Sequence, residues 1–70
     1  RNRDYKSELL MTFQKKNQKI EFKVEKLSAD NNKIEFIAKV FSEGVMLGEG
    51  VGNSKKEAER EACKKALTSS

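Results

Sequence analysis

The sequence predicts an α+β domain, a two-layer α-β-β-β-α sandwich whose three-stranded antiparallel sheet carries both helices on one face. Three observations lead there. Tyr5, Leu9, Leu10 and Phe13 recur at helical spacing, the apolar period drops to two from Ile20 onward, and Ser54-Lys55-Lys56-Glu57 opens a second helical pattern with a capping box. Short connections between the intervening strands imply an antiparallel meander, and the helices must cover its apolar face.

Asp4 is a good N-cap for a first helix over residues 5–16, and the basic residues near its end suit the helix dipole. Ile20, Phe22 and Val24 then alternate with Glu21, Lys23 and Glu25, which marks a strand with one face in the core. Ser28 to Asn32 has turn composition. A second strand over residues 33–41 places Ile34, Phe36, Ala38 and Val40 on one side. Ser42-Glu43-Gly44 reads as a tight turn, and residues 45–49 as the third strand. Gly48, Gly50 and Gly52 follow as a flexible glycine hinge that permits close backbone approach before the last helix. That helix carries an apolar stripe of Ala58, Ala62, Cys63, Ala66 and Leu67, small enough to lie close against a sheet, while Glu61 and Lys65 make an i, i+4 pair on its solvated side. The folded unit is expected over residues 4–69, with residues 1–3 as the remnant of a linker.

A chain of 70 residues makes one small domain whose stability is a few kcal/mol at most. Fifteen basic against eleven acidic residues give a net charge of +4, less informative than its distribution. Two lysines in the first turn of the last helix oppose its dipole, and a bound anion such as a nucleic-acid phosphate supplies a reason to keep them. Catalysis finds no support. There is no His, the acids are scattered, Cys63 lacks the basic partner of a nucleophile, and no metal-ligand set is expected. The glycine run lacks both the Lys-Ser/Thr ending of a P-loop and the spacing of a dinucleotide fingerprint. A single Cys, no apolar run of membrane length and no signal-peptide pattern lead to the expectation of a cytoplasmic protein without membrane contact.

Gly48-Glu49-Gly50, Ser54-Lys55-Lys56-Glu57-Ala58 and the tail Ala62-Cys63-x-x-Ala66-Leu67, set in α-β-β-β-α order, resemble the double-stranded RNA-binding domain over nearly the whole chain. Within that family the chain is most similar to the C-terminal domain of bacterial ribonuclease III, on Asp4-Tyr5-Lys6-Ser7 and on Lys-Lys-Glu-Ala-Glu at 55–59, where many other members carry a third Lys in place of Glu59. The resemblance implies double-stranded RNA as partner and no cofactor for the domain. For a ribonuclease III parent it implies Mg2+-dependent cleavage, and a homodimer formed through a different domain.

A-form RNA has a deep, narrow major groove closed to side chains and a wide minor groove lined by 2′-hydroxyls. A reader of its shape must clamp phosphates across the first and touch the second on both sides. The resemblance assigns the phosphates to Asn53, Ser54, Lys55 and Lys56, and one minor groove to the first helix through Ser7, Leu10, Met11 and Gln14. Leu10 and Met11 depart from the Gln and Glu usual in the ribonuclease subgroup, and Leu10 fits either ribose contact or the core. The loop between the first two strands meets the second minor groove in the family through Gly-Pro-x-His. Here Ala29-Asp30-Asn31-Asn32 replaces it, with Asn31 and Asn32 suited to a 2′-hydroxyl or simply to a turn. The competing reading is a protein-interaction module of the same fold that has lost RNA binding and works through Leu10, Met11, Ile37 and Phe41.

Overall fold

The structure, a computed structural model, describes residues 3–28 and 33–69. The order is α1 (Tyr5–Gln14), β1 (Glu21–Ser28), β2 (Glu35–Ser42), β3 (Val45–Gly52) and α2 (Lys55–Ser69). The strands form one antiparallel sheet in the order β1-β2-β3. Both helices pack on one face of it, as the α+β sandwich requires. Among the described residues no helix is long and apolar enough to cross a membrane.

Helix α1 starts where Asp4 caps it. Its Oδ1 accepts from the Ser7 N–H at 3.1 Å, and its Oδ2 accepts from the Ser7 hydroxyl at 2.8 Å. The helix stops at Gln14, two residues short of the expectation, because Asn17 turns left-handed (φ 59°) and the Gln18 N–H returns to the Phe13 carbonyl. The bonds from Ser7, with smaller contributions from Lys56 and Lys6, hold the Asp4 carboxyl below the usual carboxylate range. A lowered folded-state pKa gives stability that is present above the unfolded value and lost as pH falls through the folded one. Melting temperature is therefore expected to fall on acidification more steeply in the wild type than in Asp4→Asn, which keeps an acceptor but cannot titrate. Parallel pH profiles would refute this role for the cap.

The expected alternation in β1 and β2 holds, except that Ile34 lies before β2 and is exposed. Ala38 and Val40 are fully buried, and Phe22, Val24 and Phe36 pack beside them. The β2–β3 turn places Glu43 at φ 55° and Gly44 at φ 80°, the paired left-handed geometry that suits the twist of a two-residue hairpin. A bulge at Leu47 shifts the register between Val40 and Phe41. The extra residue lets Leu47 pack against the core while its neighbour Gly48 faces α2.

The glycine run is not a hinge. Gly48, Gly50 and Gly52 belong to β3, paired with Val40, Ala38 and Phe36. Each presents bare backbone to α2. A Cβ at Gly48 would stand 2.8 Å from the Ala62 carbonyl oxygen, and one at Gly52 2.8 Å from the Ala58 N. Alternate glycines on the strand and Ala58, Ala62 and Ala66 on the helix thus form one close contact, backbone against backbone. The close backbone approach that these glycines permit is made to the protein's own helix. Cys63 and Leu9 are fully buried at the centre, with Phe13 beside them. Burial pushes the Cys63 thiol up to about 11, which keeps it protonated and unreactive.

Candidate nucleic-acid interface

Because β3 runs to Gly52, only Asn53 and Ser54 separate strand from helix. Ser54 caps α2 through its Oγ, which accepts from the Glu57 N–H at 3.1 Å, and its carbonyl accepts from Ala58 N–H at 3.0 Å. The return half of the capping box closes one residue earlier than the pattern predicts: Glu57 Oε1 accepts from the Asn53 N–H at 2.6 Å. The sharp exit from the strand brings Asn53, rather than Ser54, over the first helical turn. These bonds leave the Lys55 and Lys56 N–H groups with no acceptor among the described residues, and both lysine side chains are exposed. Two open donors, two ammonium groups and the positive helix end coincide there.

Ser7, Leu10, Met11 and Gln14 share the outer surface of α1 and are all exposed. Leu10, at 40 % exposure, is not part of the core, which instead takes its neighbour Leu9 at 0 %. One residue is about 100° of helix rotation, and that step separates the two leucines. Ser7 gives its hydroxyl proton to Asp4, so toward a ligand it acts as an acceptor. Leu10 and Gln14 also border a shallow cleft with Asn17, Gln18, Lys19 and Ile20. Asn31 and Asn32 lie outside the described residues.

Three contacts tie the α1 surface to α2. Lys6 Nζ sits 3.1 Å from Glu59 Oε1 and 4.9 Å from the Phe22 ring centroid, so one side chain bridges both helices and β1. Asp4 feels the charge of Lys56. Arg60 places its guanidinium carbon 5.0 Å from the Tyr5 ring centroid, and Arg3 places its own at 5.1 Å. Arg3 is further held by Glu8, whose Oε2 accepts from Arg3 Nε at 2.7 Å. The sequence reading missed Lys6, Arg3 and Arg60. Arg60 is four residues after Lys56 and so on its helix face, a signal available from spacing alone. The roles of Lys6 and Arg3 depend on the docking of α1 against α2, which no local pattern encodes.

A small sandwich with a basic helix start at its edge, beside an exposed helix face of Ser7, Leu10, Met11 and Gln14, has the build of a module suited to an extended anionic partner. The family described as "Double-stranded RNA binding motif" matches residues 5–69, and the chain belongs to it. Among curated relatives it is 41% identical over 69 residues to a Ribonuclease 3 of Pelotomaculum thermopropionicum and 42% identical over 67 residues to a Ribonuclease 3 of Oceanobacillus iheyensis. These matches cover 97% and 94% of this chain but only 29% of each relative. The similarity is thus to one region of a longer protein.

Proposed function

We propose that this domain reads the A-form shape of double-stranded RNA and holds the duplex for cleavage by the catalytic domain of a ribonuclease III parent. The observation that carries the reading is the start of α2, where Lys55 and Lys56 stand exposed beside their own N–H groups, which have no acceptor among the described residues. In this reading Asn53, Ser54, Lys55 and Lys56 take phosphates across the major groove. Ser7, Leu10, Met11 and Gln14 meet one minor groove, with Ser7 accepting from a 2′-hydroxyl, and Asn31 and Asn32 serve the next. The two 29% overlaps with proteins named Ribonuclease 3 support the parent assignment. Mg2+-dependent hydrolysis, homodimerisation and cytoplasmic residence belong to that whole protein.

An RNA duplex of about 16 bp spans both minor-groove contacts, so it is expected to bind far more tightly than a DNA duplex of equal length. Contact with about four to six phosphates gives a log–log salt slope of several units. Equal affinity for the two duplexes in fluorescence polarisation would defeat the shape-reading role. A second reading, a protein-interaction surface, draws on the exposure of Leu10 and of Met11 at 58 %. It predicts RNA binding that is weak or absent and indifferent to the α2 lysines.

Glu59 occupies the cationic edge as an acid and spends its charge on Lys6. Replacing it by Lys frees Lys6 and adds a cation beside Lys55 and Lys56. Glu59→Lys is expected to tighten RNA binding by roughly tenfold at moderate salt and to steepen the salt slope by about one or two. A partly exposed ion pair contributes little to stability, so the melting temperature should move by only a few degrees. Unchanged affinity would show that position 59 is remote from the RNA.

A further inference from the structure

Where the starts of α1 and α2 meet, a cleft of about 330 Å³ opens around Tyr5, walled by the cations Arg3, Lys6, Lys56 and Arg60 and the acids Asp4 and Glu59. We propose that this cleft seats a further phosphate of the bound duplex, held by Lys56, Arg60 and Arg3. The proposal rests on the double-stranded RNA reading and extends its contact surface beyond the α2 lysines.

Both acids are already committed inside the protein. Asp4 takes two hydrogen bonds from Ser7, and Glu59 takes Lys6. Lys56, Arg60 and Arg3 keep donors to spare. Lys56 has no ion pair among the described residues, and Arg60 has only a 3.4 Å contact with Glu61. Arg3 uses Nε and one terminal nitrogen on Glu8, and its remaining donors are free of that pair. Both guanidinium groups contact the one Tyr5 ring, which gathers them within about one Debye length of each other, ~10 Å at 0.1 M salt, so an anion in the cleft feels both. Stacking on the ring also limits their rotamers before any ligand arrives, which lowers the entropic cost of binding. Arg60 and Arg3 remain 40 % and 60 % exposed at the side chain, open to a phosphate from solvent.

The salt dependence of binding to an RNA duplex of about 16 bp decides the matter for Arg60→Gln, Arg3→Gln, the pair Lys55→Gln/Lys56→Gln, and Lys39→Gln on the opposite face of the sheet. Arg60→Gln and Arg3→Gln are each expected to lower the log–log slope by about one, and Lys39→Gln to leave it unchanged. In the unmodified chain, the Nε–H resonances of Arg3 and Arg60 should shift as the duplex is titrated in. Wild-type slopes in both arginine variants together with unmoved resonances overturn the cleft contact. If the lysine pair alone lowers the slope, the α2 edge stands without the cleft. If the lysine pair also leaves it unchanged, the RNA-binding edge itself is wrong and the cleft falls with it.

Discussion

Gly50→Ala is expected to destabilise the domain by about 3 kcal/mol or more, a loss of roughly 15 °C in melting temperature for a chain this small. Mid-strand Gly is ordinarily worse than Ala by about 0.5–1 kcal/mol, so a neutral site would gain from the change. Here a Cβ would run into the Ala62 N, with the Glu61 carbonyl carbon at 2.7 Å. These are backbone atoms inside a helix and cannot swing aside as a side-chain tip could. Relief requires α2 to lift from β3, which opens the contacts of Ala58, Ala62, Cys63 and Ala66 with the sheet, half of the buried core. Gly44 is the comparison, since a Cβ there meets nothing within 4 Å and only its φ of 80° resists substitution. Thermal denaturation followed by circular dichroism checks both. A Gly50→Ala variant that melts within a few degrees of wild type would show that the strand–helix contact yields more readily than its geometry indicates.

Lys55→Glu/Lys56→Glu is expected to weaken RNA-duplex binding at least about 100-fold near physiological salt and to lower the log–log salt slope by about two. Both side chains are exposed, and neither makes an ion pair among the described residues, so the fold does not depend on them. Stability should move the other way. Two acids in the first turn complement the dipole that two lysines oppose, each worth about 0.3–1 kcal/mol. Raised melting temperature with lost binding is the combination that separates a functional cation from a structural one. Polarisation titrations beside a thermal melt measure it directly. RNA affinity that is weak in the wild type and unmoved by the change would move the weight to the interaction-module reading.

The order of elements was legible because each carries its own period. Phe22 and Val24 in β1 and Phe36, Ala38 and Val40 in β2 alternate into the core as expected, and Asp4 and Ser54 cap the helices where composition placed them. The errors cluster where local chemistry was ambiguous. Gly48, Gly50 and Gly52 read as a hinge because glycine is both a strand breaker and the only residue that leaves room for another backbone, and the deciding partners lie in a different element, from Glu57 and Ala58 opposite Gly52 to Ala66 opposite Gly48. Leu10 could not be assigned because Leu9 fits the same apolar spacing, and only the direction from which α2 approaches selects between them. The pair Lys6–Glu59 spans 53 residues and has no local signature.

Local rules acting within a turn of helix or a stretch of strand were therefore sufficient for the class of fold, the capped helix starts and the cationic opening of α2. Their interactions are short in sequence and do not need the rest of the chain. The close seating of α2 on the β3 glycines, the choice of Leu9 over Leu10 for the core, and the gathering of Arg3, Lys56 and Arg60 around Tyr5 were decided in three dimensions. Those contacts join segments whose separation along the chain carries no periodic trace, so they exist only once burial of the small-residue stripe has brought the two helices and the sheet together.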